Sequence, residues 1–121
     1  MIKDILNIVI VVKSGIIYEG LLNILVKIGY RVNVKYCNKF KELENSITNQ
    51  TDILIIDGLL LENKEEEFRR YMMSYKEIMY VCLVNANIKD EVTNIFDLVI
   101  NIDDNIYDII NRIKSRLDWK L

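Results

Sequence analysis

Hydrophobic positions fall into two alternating kinds of pattern along the chain. Short runs rich in Val, Ile and Leu occupy residues 7–12, 30–36, 52–56, 79–84 and 97–102. Four of them are near-continuous, as strands buried on both faces of a sheet are. The exception is Arg31-Val32-Asn33-Val34-Lys35-Tyr36, where polar and apolar residues alternate as they do in an edge or half-exposed strand. The segments between the runs have helical spacing. The first starts near Ser14, presents Ile17, Leu21, Ile24, Leu25 and Ile28 on one face, and stops at Gly29. The second follows Asn38 and has only Phe40, Leu43 and Ile47 to bury. In the third, Asn63 is the expected N-cap, with Glu66 three residues on as in a capping box, and the buried stripe is Phe68, Tyr71, Met72 and Tyr75. A fourth, of two turns at most, covers residues 88–96. The fifth opens at Asp103 or Asp104 and carries Ile106, Ile109, Ile110, Ile113 and Leu117, with Lys114, Arg116 and Lys120 near its end. Strands alternating with helices, joined by right-handed crossovers, predict a three-layer α/β fold. Its open parallel sheet has five strands in the order 2-1-3-4-5, with function at the carboxyl edge.

Composition narrows the chemistry more than the architecture. A chain of 121 residues supports one domain, and 51% hydrophobic residues can fill its core without metal or disulfide staples. Sixteen Lys plus Arg against eighteen Asp plus Glu give a net charge of −2, with no global attraction to nucleic acid or anionic membrane. The apolar runs fall far short of the ~20 residues that span a bilayer. The N-terminus has none of the parts of a signal peptide, so a cytoplasmic protein is expected. There is no His, which excludes imidazole bases and His-containing metal sites. Cys37 and Cys82 cannot make a four-thiolate site and sit in apolar stretches, as buried reduced thiols do. The four glycines, at 15, 20, 29 and 58, form neither common phosphate-binding loop, and no cofactor is expected.

Two stretches carry a family resemblance. Asn7-Ile-Val-Ile-Val-Val-Lys-Ser-Gly-Ile-Ile-Tyr-Glu-Gly-Leu-Leu22 resembles the opening of a response-regulator receiver domain, most of all those fused to a LuxR-type helix-turn-helix. Thr51-Asp-Ile-Leu-Ile-Ile-Asp57 resembles the third receiver strand, which ends in the phosphoacceptor aspartate. The resemblance implies the flavodoxin-like (βα)5 receiver fold, a place in two-component signal transduction, and transcription regulation through a separate C-terminal DNA-binding domain where one is present.

Receiver phosphorylation needs a set of groups of which this chain keeps one. A paired acid after the first strand joins the acceptor aspartate in holding Mg²⁺, a hydroxyl follows the fourth strand, and a lysine follows the fifth. The resemblance places the acid pair on Val12 and Lys13, the hydroxyl on Asn85 (or Leu83 if the register slips), and the lysine on Ile102. Its aromatic switch falls on Val99, and only Asp57 remains. The expected reading is an atypical receiver that is not an enzyme and does not use Mg²⁺. It acts through a protein partner or a second copy, the latter as a homodimer through the fifth helix beside Tyr107, Trp119 and Leu121. The alternative is a monomer whose C-terminal aromatics fold back on the core. Lys13 is the expected ion-pair partner of Asp57. Two other classes compete: a small flavodoxin-like cofactor-binding domain or enzyme, for which Lys13-Ser14-Gly15 is too short a loop, and a DNA-binding protein, for which no helix has the basic face.

Overall fold

A computed structural model describes residues 5–85 and 93–120. Five strands, β1 (Ile5–Val11), β2 (Arg31–Cys37), β3 (Ile53–Asp57), β4 (Met79–Val84) and β5 (Leu98–Asn101), form one parallel sheet in the order β2-β1-β3-β4-β5. Expected and observed strands agree within one residue at almost every end, because the β-branched runs that define them are also the buried ones. β3 is buried at every position but Asp57, whereas β2 alternates exposed and half-buried residues at the sheet margin.

The pleat divides the core into two layers. On one face Leu6, Ile8, Ile10, Ile53, Ile55, Val81 and Ile100 pack under α1 (Gly15–Leu25) and α4 (Ile106–Lys120), the helix expected fifth. On the other, Val9, Val11, Leu54, Ile56 and Tyr80 pack under Phe40, α2 (Leu43–Ser46) and α3 (Glu65–Ser74). Phe68 is fully buried there, with the Phe96 ring stacked at 5.4 Å and the Tyr80 ring edge-on at 5.7 Å. The Tyr80 hydroxyl donates to the Tyr75 carbonyl at 2.6 Å and so ties the end of α3 to β4.

The helix ends depart from expectation for local reasons. α1 is capped by Ser14, whose Oγ accepts from the Ile17 N–H at 3.3 Å, as the sequence predicts. Its regular turns stop at Leu25. Lys27 and Ile28 then bond back to Ile24 and Leu25 in tighter turns before Gly29 takes φ +89°. The second helix is shorter than its stripe suggests, a 3₁₀ turn (Phe40–Glu42) leading into α2. The capping box at Asn63 does not form. Asn63 holds the left-handed conformation, φ 62°, in the turn before the helix, and the cap position belongs to Lys64. The last helix begins later than Asp103 or Asp104, because Asn101, Asp103 and Asp104 bond one another in a turn. Asn105 Oδ1 instead accepts from the Tyr107 N–H at 2.8 Å. Ile109, Ile113 and Leu117 are buried as expected, but Ile106 is 46% exposed at the open start of the helix. Most of the segment expected as the fourth helix, 88–96, lies outside the described residues. No helix among the described residues is long and apolar enough to cross a membrane.

Candidate functional site

Parallel strands end in step, so their last residues share one edge. Register places Val11, Ile56 and Cys82 side by side, with Asp57 beside Leu83 one residue further. Val12 follows Val11 and donates its N–H to the Cys37 carbonyl at 3.1 Å. Its side chain is fully buried in the α1/α4 layer, and Leu83 is buried in the same layer. Asp57 therefore stands between two strand ends whose nearest side chains are hydrocarbon.

The half-buried Asp57 carboxylate has a local task. Its Oδ1 accepts from the Leu59 N–H at 3.0 Å, capping a 3₁₀ turn (Gly58–Leu61). The Lys13–Asp57 ion pair is not formed: Lys13 is exposed in the β1–α1 turn and makes no ion pair among the described residues. A solvated ammonium keeps its rotamer freedom, and an exposed pair returns too little to order it. Asn85 is exposed just past β4, and Ile102, 38% exposed, donates its N–H to the Val84 carbonyl at 3.0 Å. The structure thus brings Val12 and Asp57 together. It leaves Lys13 in solvent, sets Asn85 just past β4, the strand next to Asp57, and sets Ile102 one strand further out, past β5.

The donor set does not fit a divalent cation. Mg²⁺ demands near-octahedral oxygen ligation, usually with more than one carboxylate or a phosphate. Here the chain beside Asp57 carries buried Val12 and exposed Lys13, and no group of three or more His, Cys, Asp or Glu side chains is placed to hold a metal ion among the described residues. Below the edge, burial and, to a lesser degree, the Asp57 charge push the Cys82 thiol up to about 12. Such a thiol is a packing residue and not a nucleophile. Cys37 is likewise raised, first by burial, and its Sγ lies 3.0 Å from the Ser46 hydroxyl.

The cap on Leu59 is a role that the sequence reading missed, although Asp-Gly after a strand is a turn-opening signal. Two apolar side chains at this edge were missed as well: Ile16 is 86% exposed at the start of α1, and Leu59 is 59% exposed. Tyr107, which the sequence singles out, is 72% exposed at the start of α4. Tyr107 and Trp119 point to solvent and do not fold back on the core.

Comparison with known proteins supports the architecture. No family model and no curated protein sequence matches the chain. Among solved structures, a response regulator from Thermotoga maritima matches with a TM-score of 0.76 at 18% identity, over 93% of this chain and 98% of that one. The RcsB response regulator of Salmonella typhimurium, in a structure addressing its interaction with DNA, matches at 0.76 and 15% identity, over 96% of this chain and 62% of that one. A putative pilus assembly protein, CpaE, from Burkholderia thailandensis matches at 0.75 and 14% identity, over 93% and 98%. The chain has the fold of response-regulator receiver domains. That fold is shared by proteins of more than one description, so the site and not the fold must carry the function.

Proposed function

We propose that this chain is an atypical receiver-like module of signal transduction that works by protein–protein contact, without Mg²⁺-dependent aspartyl phosphorylation. One observation carries the reading: Asp57 is flanked by buried Val12 and Leu83, and its carboxylate is engaged by the Leu59 amide. A phosphoryl group arriving there would meet hydrocarbon in place of metal and hydroxyl, with the ammonium of Lys13 turned to solvent.

The same edge is better suited to a protein. Ile16, Leu59, Ile102, Ile106 and Tyr107 are exposed at the ends of β3 and β5 and the starts of α1 and α4, where a partner with an apolar surface would desolvate them. Any role in transcription then falls to a separate DNA-binding domain. An NMR titration with millimolar Mg²⁺ tests the proposal. Amides around Asp57 should show no saturable shift, and a saturable shift confined to that edge would refute it.

A further inference from the structure

The two edges of the sheet are finished differently. Along the outer edge of β5, Arg116 donates to the Asp97 carbonyl through Nε, at 3.1 Å, and Nη2. One turn earlier, Arg112 Nη2 donates to the Val99 carbonyl at 2.5 Å. The Asp104 carboxylate accepts from the Asn101 N–H at 2.9 Å and pairs with Arg112 at 3.4 Å. The Asn101 carbonyl takes the Asp104 N–H at 2.9 Å. Side chains and a turn therefore occupy most of the hydrogen-bonding row that an incoming strand would need.

β2 has no such cover. The Cys37 carbonyl bonds to Val12, so the backbone groups of Arg31, Asn33, Lys35 and Cys37 face β1, and those of Val32, Val34 and Tyr36 face outward. None of these outward groups has a hydrogen-bond partner among the described residues. At seven residues, β2 is as long as β1 and offers an open row.

We infer that two copies of this chain pair antiparallel along β2 with Val34 on the two-fold axis, joining two five-stranded sheets into one. Charge selects the register among those centred on the middle of the strand. An axis at Asn33 sets Arg31 against Lys35 of the second copy, and an axis at Lys35 sets the two ammonium groups against each other. An axis at Val34 opposes Lys35 to Asn33 and Arg31 to Cys37, with no like charges facing. The outward groups then meet in register, Val34 with Val34 and Val32 with Tyr36, each facing pair exchanging two N–H···O bonds. Tyr36 is already held by a stack on Tyr18 at 4.0 Å between ring centroids, so little side-chain freedom is lost when it covers Val32. The interface is isologous, closes at two copies, and is independent of how the carboxyl edge signals.

The test uses Val34→Pro, which deletes an outward N–H and leaves the ladder to β1 intact. Sedimentation equilibrium from tens to hundreds of micromolar should show a dimer for the unaltered chain. Val34→Pro should raise its dissociation constant at least about tenfold. A Tyr107→Ala/Trp119→Ala chain should dimerise as before. A monomer throughout, a dimer that survives Val34→Pro, or a dimer lost only in the Tyr107/Trp119 variant would each overturn the inference. If Val34→Pro does not fold, amide exchange on the unaltered chain decides. Val32, Val34 and Tyr36 should be protected as concentration rises, and concentration-independent exchange at all three contradicts the dimer.

Discussion

At Asp57 one carboxylate performs a cap where a phosphoryl site would need several groups acting together. Asp57→Ala should cost about 1 kcal/mol in urea unfolding, while Asp57→Asn, still a good cap, should be close to neutral. A loss in Asn as large as that in Ala would show that the charge and not the cap is what matters. Cys82 supplies a pH dependence whose sign is fixed by its burial. Its thiol keeps its proton to about 12 in the folded chain, against 9.0 ordinarily. The unfolded chain binds fewer protons between those values, so this contribution to stability is complete below pH 9.0 and declines towards 12. Unfolding midpoints measured across that window should fall, and the fall should be shallower in Cys82→Ala. The burial of Val12 and the exposure of Lys13 at this edge follow the residue types that the sequence places there. The destination of the Asp57 carboxylate was not legible in the same way, because a cap depends on the backbone turn that receives it.

Elements were legible where burial and periodicity agree, and less so where a cap decides the boundary. The strands of the sheet show as β-branched runs because covering helices bury both faces. The start of α3 misled because Asn63 followed by Glu66 satisfies a capping-box pattern, yet the turn after β3 requires a residue at positive φ and asparagine supplies it. Glu66→Ala should therefore change stability by less than about 0.5 kcal/mol. Ser14→Ala, which removes a formed cap, should cost about 1 kcal/mol. Equal losses in the two variants would restore the capping box. Arg116 was read as a favourable charge at a helix end, and Arg112 was not singled out. Their bonds to the carbonyls of Asp97 and Val99 depend on a strand that is distant in sequence.

For the whole molecule, the fold and the proposed function rest on different observations. The strand order, the two-layer core and the similarity to response-regulator structures give the receiver fold, while among the described residues no group of His, Cys, Asp or Glu side chains is placed to hold a metal ion. In the function proposed above, switching comes from contact, through the apolar residues of the carboxyl edge or along the open strand β2. The central claim, that this edge does not accept a phosphoryl group, can be measured directly. The chain is incubated with acetyl phosphate and Mg²⁺ and its intact mass is recorded. The mass should remain that of the unmodified chain, whereas a stable phosphoryl adduct that disappears in Asp57→Asn would contradict the account.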